Sequence, residues 1–134
     1  MVDSGERLGG AILVVEDDQE VRATFADLLA AHGYDVLQAE DGAQGLRAVK
    51  THEPTLILLD LHMPYMSGAA FRAVQRRLPK KFSDIPVVIV SGAEDGPEEC
   101  ARMGVADYLS KPVDSAALMR AVKSHCRPTP EPRP

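Results

Sequence analysis

Three stretches of this chain are apolar at nearly every position: AILVV at residues 11–15, TLILL at 55–59 and VVIV at 87–90. A strand with one wet face alternates apolar and polar residues, so an unbroken apolar run needs cover on both faces. That demand is met chiefly by a parallel sheet with helices packed above and below it. The segments between the runs supply the helices. Residues 19–31 set Val21, Phe25, Leu28 and Leu29 on one stripe at a period of 3.6, with Asp18 as N-cap and His32-Gly33 as the stop. Residues 34–39 read as a second strand. Asp41 then precedes a short helix in GAQGLRAVK, outlined by Ala43, Leu46, Val49 and the stem of Lys50, although two glycines weaken its propensity.

The second half repeats the alternation. AAFRAVQRRL carries Phe71, Val74 and Leu78 at helical spacing, and LPKKFSDIP reads as a polar connection ending at Pro86. Residues 94–103 hold a short helix with Pro97 in its first turn and Gly104 as its stop. VADYL at 105–109 is the fifth strand, and Asp114 caps a last helix in SAALMRAVKSHC with Leu118, Met119 and Val122 inward. The fold class is α/β, with five strands and right-handed crossovers.

At 134 residues there is room for one domain, expected over 10–126, between a flexible N-terminus (1–9) and a Pro-rich, disordered tail, RPTPEPRP (127–134). The formal net charge of −5 argues against holding nucleic acid or an anionic membrane by bulk electrostatics. No run approaches a spanning length and no secretion signal is evident, so a cytoplasmic domain is expected. Cys100 and Cys126 are too few for a disulfide framework and lack zinc spacing.

In open parallel sheets, ligands bind beyond the carboxyl ends of the strands. Here those ends carry Glu16 and Asp17 after the first run, Asp60 after the third, Ser91 after the fourth and Lys111 past the fifth. Any one of them is ordinary, since an aspartate after a strand is a common turn former. Together they make a unit. Three clustered carboxylates repel one another and need a cation, and oxygen-only ligands suit Mg²⁺. Such an ion would keep Asp60 ionised and polarise an incoming phosphoryl group. The Lys111 ammonium can neutralise phosphate oxygens, and the Ser91 hydroxyl can take another. Phosphoryl transfer asks mainly for such positioning and charge compensation.

Other chemistries fit poorly. There is no GxGxxG opening a helix, no GxxxxGK[ST] and no nucleophile elbow, since Ser91 is followed by GAED. His32, His52, His62 and His125 lack zinc-motif spacing.

Over about residues 10–126 the chain resembles the receiver domain of two-component response regulators. ILVVEDD resembles the acidic-pair segment, LILLDLHMPYMSG the acceptor segment with its glycine at Gly68, VIVSG the switch hydroxyl, and DYLSKP the switch aromatic and lysine. The resemblance implies a flavodoxin-like three-layer α/β/α sandwich with strand order 2-1-3-4-5. It also implies phosphorylation at Asp60, Mg²⁺ held by Glu16, Asp17, Asp60 and the His62 carbonyl, and a cis Lys111–Pro112 bond. Ser91 and Tyr108 are the implied switch pair. One departure is Glu16, where the family more often has Asp; Asp18 reads as a helix cap beside it, not a ligand.

The implied partners are a histidine kinase or histidine phosphotransfer protein as donor and a downstream protein as reader; a weak homodimer is compatible with the resemblance. The implied activity is that of a signalling phosphoacceptor, which assists its own phosphorylation and slow dephosphorylation, not a classical enzyme. The face read by a partner is expected to include Ala93, Ala106, Tyr108 and the helix after Asp114. With no output segment after residue 126, a single-domain regulator acting by protein contact is the first reading. Two others stay open at this point: a phosphorylation-independent interaction or dimerisation module, and a receiver excised from a hybrid kinase or multidomain regulator.

Overall fold

The computed structural model describes residues 10–92 and 97–126. Its elements run β1 (Ile12–Val15), α1 (Gln19–Ala31), β2 (Val36–Ala39), α2 (Gly42–His52), β3 (Leu56–Asp60), α3 (Gly68–Arg76), α4 (Lys80–Ser83), β4 (Val87–Ser91), α5 (Pro97–Met103), β5 (Asp107–Ser110) and α6 (Ser115–His125). All strand pairs are parallel, in the order β2-β1-β3-β4-β5. This is the flavodoxin-like sandwich.

The unbroken apolar runs have the expected cause. Successive side chains of a strand point to opposite faces. Ile12, Val14, Leu56, Leu58, Val88 and Val90 therefore pack on one side against Phe25 and Leu29 of α1 and Leu118 and Val122 of α6. Leu13, Val15, Ile57, Leu59, Val87 and Ile89 pack on the other against Val49, Phe71, Phe82 and Met103. Both faces are buried, and the polar residues of these runs sit at their ends: Thr55 just before β3, and Asp60 and Ser91 as the last residues of β3 and β4.

Helix starts follow their caps: Asp18 accepts from Val21 N, Asp41 from Gln44 N, Ser67 from Ala70 N and Asp114 from Ala117 N. The glycines of α2, which lower its propensity, are close-approach positions. A Cβ at Gly45 would lie 2.9 Å from the Phe71 ring and 3.1 Å from Val15, so any larger residue would push α2 off the sheet. His125 Nε2 stands 3.1 Å from Asp107 Oδ2, joining the end of α6 to the start of β5.

Several boundaries differ from expectation. The polar connection after α3 contains the one-turn helix α4, which buries Phe82; a lone aromatic gives no periodicity to read. Val74 is exposed (38%), and the fully buried position beside it is Gln75. In α2, Ala43 is exposed, with Gly42 and Gly45 on the buried side. The fifth strand pairs over Asp107–Ser110, two residues later at its start than VADYL suggests. It is an edge strand whose ladder is made by backbone groups, which Asp107 and Ser110 supply as well as apolar residues do. The other edge strand likewise begins at Val36, not 34. Asp60 and Ser91, expected just past their strands, are the last residues within them. The expected helix start at 94, Ala93 and both flanks, 1–9 and 127–134, lie outside the described residues.

Candidate functional site

The site is built where β1, β3, β4 and β5 end. The register sets Asp60 beside Val90 and Ser91 beside Ser110, so the strands terminate nearly level. Glu16 follows β1 directly, and its backbone N–H donates to Ala39 O at 3.1 Å. Its carboxylate is turned inward: Glu16 is 2% and Asp60 4% exposed, whereas Asp17 faces solvent. One ligand oxygen from each of the three lies within 4.8 Å of the others. Asp18 stands outside this trio and caps α1, as expected.

Lys111 reaches back over the two buried acids. Its Nζ lies 3.0 Å from Glu16 Oε1 and 3.5 Å from Asp60 Oδ1. Its backbone N–H donates to Ser91 O at 2.6 Å, which holds it at the end of β4, and the bond to Pro112 is cis, as the resemblance implied. Ser91 is fully buried at the end of β4.

The charges are poorly compensated. Burial pushes the Glu16 carboxyl up to about 7; the Asp60 charge adds to this, while the Asp18 N–H and Lys111 oppose it. Burial also raises Asp60, against the pull of Lys111 and a long (3.4 Å) hydrogen bond from the His62 N–H. Burial draws the Lys111 ammonium down, but its hydrogen bond to Glu16 and the charges of Asp60 and Glu16 outweigh that, and the net shift is upward. One lysine for two buried carboxylates and a third at the rim leaves an excess of negative charge. A divalent cation fits that excess, and an all-oxygen donor set suits a hard ion such as Mg²⁺.

The loop after Asp60 is held close. Gly68 N–H donates to Leu61 O at 2.8 Å, and a Cβ at Gly68 would lie 2.5 Å from Asp60 O and 2.8 Å from Leu61 Cα. Only glycine lets α3 begin against the end of β3. Tyr108, on β5, is half-buried against the core, and its hydroxyl donates to Gly92 O at 3.0 Å while accepting from Ser110 Oγ at 3.3 Å. It thus touches the backbone just beyond Ser91. Sequence reasoning missed Arg22, whose Nη1 donates to Glu16 O at 2.8 Å and holds the β1–α1 turn. A basic residue on the first turns of α1 beside an acidic cluster was the available clue.

The family profile of the response regulator receiver domain matches residues 12–123. The protein PilH of Pseudomonas aeruginosa is 34% identical over 117 residues, which cover 84% of this chain and 94% of PilH. The CAI-1 autoinducer sensor kinase/phosphatase CqsS of Vibrio cholerae is 32% identical over 83% of this chain, and there the match spans only 16% of the relative. Among solved structures, a response regulator receiver protein from Pseudomonas putida superposes with a TM-score of 0.78 at 26% identity, covering 86% of this chain and 96% of that one. Domain profile, relatives, strand order and the acidic strand ends agree: the chain belongs to the response regulator receiver domains of two-component signalling.

Proposed function

We propose that Asp60 accepts a phosphoryl group from a phosphohistidine of a histidine kinase or histidine phosphotransfer protein. A carboxylate oxygen of Asp60 attacks phosphorus, the P–N bond breaks, and the donor imidazole leaves with its electron pair. Glu16, Asp17 and Asp60, with the His62 carbonyl, would hold Mg²⁺, which supplies charge neutralisation for the transferring group. Lys111 and Ser91 take phosphate oxygens. An open groove of about 560 Å³, lined in part by Val21, Thr24, Phe25, Lys111, Pro112 and Val113, borders Lys111 and leaves room for the donor's histidine-bearing segment. Output runs through Ser91 and Tyr108: a shift of the Ser91–Gly92 backbone reaches the Tyr108 hydroxyl, and the surface of Ala106, Tyr108 and α6 presents the change to a downstream protein.

The observation that carries this reading is the convergence of two buried carboxylates and one exposed one beneath a single lysine. Among the described residues no helix is long and apolar enough to cross a membrane. Incubation with phosphoramidate and Mg²⁺, followed by intact mass, tests it. A phosphoryl adduct on the wild type and none on Asp60→Asn is expected. An adduct that persists in Asp60→Asn removes Asp60 from the role, and no adduct on the wild type favours a phosphorylation-independent module.

A further inference from the structure

The loop LHMPYMSG contains a feature that phosphoryl chemistry at Asp60 does not use. Met66 N–H donates to Pro64 O at 2.7 Å across Tyr65, whose φ is +71°. A hydrogen bond that skips one residue, with positive φ at its centre, is the rare and strained form of γ-turn. A bulky residue there is an outlier, because its Cβ crowds the backbone. Glycine would take the same conformation freely.

Nothing inside the chain repays a tyrosine at this position. Tyr65 is fully exposed, and among the described residues its hydroxyl has no hydrogen-bond partner. The loop around it is nevertheless fixed. Met63 is buried, Met66 packs toward Gly42, Ser67 caps α3, and Gly68 is bound to Leu61 O. A rigid turn therefore holds one aromatic ring out into solvent, five residues past the acceptor. Pre-ordered, exposed aromatics are the residues that interfaces use as anchors, since they add contact area with little loss of freedom.

We infer that Tyr65 is a recognition residue for the phosphodonor protein, contacting the donor's surface beside its phosphohistidine. This rests on the acceptor role proposed for Asp60. The donor is favoured over a downstream reader because only the donor must bring its histidine to Asp60, and so must cover the loops around that carboxylate. Tyr65 lies in one of them.

The test compares a donor with no protein surface, phosphoramidate, with protein donors. From a panel of purified, autophosphorylated histidine kinases, the one fastest toward the wild-type chain is selected. Tyr65→Gly keeps the turn and relieves its strain, so its Tm should be at or above wild type. Its phosphoramidate rate should stay within about twofold of wild type, while kcat/KM for the selected kinase falls by about tenfold or more, the loss typical of an interface anchor. Tyr65→Phe should retain most of the transfer if the ring area is what binds. Equal kinase rates for wild type and Tyr65→Gly overturn the inference, leaving a downstream reader as the occupant. A parallel fall in both rates also overturns it, making Tyr65 a prop for the loop. So does a panel in which no kinase phosphorylates a wild-type chain that phosphoramidate does modify. If phosphoramidate fails on the wild type, the acceptor role itself falls and takes the inference with it.

Discussion

Two polar clusters among the described residues, one at the strand ends and one between α3 and its neighbours α4 and α5, are assembled on opposite principles. One is the strand-end site of Glu16, Asp60 and Lys111. The other joins α3 to its neighbours. The Gln75 side chain, 0% exposed, donates to Phe82 O at 2.9 Å and Ile85 O at 3.1 Å, and accepts from Arg72 Nη1 at 2.8 Å. Arg72 also donates from Nε to Met103 O at 3.0 Å and from Nη2 to Gly104 O at 2.8 Å, with Arg76 on Met103 O at 3.3 Å. These arginines satisfy carbonyls at the end of α5 that no helical N–H can reach. Each of these side chains has its hydrogen-bond partners, although burial and the neighbouring Arg76 charge draw the Arg72 guanidinium down. In the strand-end site, like charges are buried together and two carboxyls sit above their ordinary range. Matched polar groups hold a fold together, whereas an unmatched charge is free to be matched by something else. Stability should respond to one cluster and phosphoryl chemistry to the other.

Asp60→Asn gives the sharpest contrast. Phosphoryl uptake, read by intact mass, should vanish, while stability measured by urea unfolding at pH 8 should rise, because a buried like charge has been removed. A destabilised Asp60→Asn would break the comparison. Lys111→Ala comes next. Phosphorylation by phosphoramidate should slow by about 100-fold, the usual order for losing a group that stabilises developing charge. Its Tm should change much less, since Glu16 and Asp60 can take up a proton in place of the ammonium. If Lys111 is only a surface pair, both measurements will match wild type.

Gln75→Ala should do the reverse. It strands the Ile85 carbonyl and takes one partner each from Phe82 O, which keeps the Ile85 N–H at 3.2 Å, and from Arg72, so unfolding should cost about 1–3 kcal/mol less, with phosphorylation by phosphoramidate near the wild-type rate. A lost phosphorylation rate in a still-folded Gln75→Ala would show that the two clusters are not separate.

The pH dependence is smaller and has a definite sign. Glu16 titrates near 4.5 when unfolded and about 7 when folded, so between those values the folded state binds more protons. Its contribution to stability therefore declines as pH rises from about 4.5 to about 7 in Mg²⁺-free buffer. Over the same interval Mg²⁺ affinity should increase, because the ligand must lose its proton. Urea midpoints and Mg²⁺ titrations at pH 5.5 and 8 check both; a parallel rise of the two would refute the assignment. Lys80→Ala marks the bottom of the scale. Lys80 Nζ lies 2.8 Å from Asp84 Oδ2, but both side chains are largely exposed, and the urea midpoint should not move measurably.

What could be read without coordinates follows from where apolar residues must go. Runs such as ILVV and LILL need cover on both faces, which chiefly a parallel sheet with helices on either side provides. Asp18, Asp41 and Asp114 announce helix starts because a cap depends on neighbours three residues away. Edge strands were harder to read, since backbone pairing there carries little side-chain pattern. The strand order and the full site came into view through the resemblance of several motifs together.

The class of fold, the caps and the set of residues brought to one sheet edge were legible along the chain, because each depends on local periodicity or on strand polarity. Packing of the folded chain settles which carboxylates lose their water, that Lys111 bridges two of them, that Gly45 and Gly68 are contact points, and that Gln75 is buried where Val74 is not. The physical reason is range. Burial and charge coupling are set by residues as far apart as Glu16 and Lys111, and no window along the chain contains both.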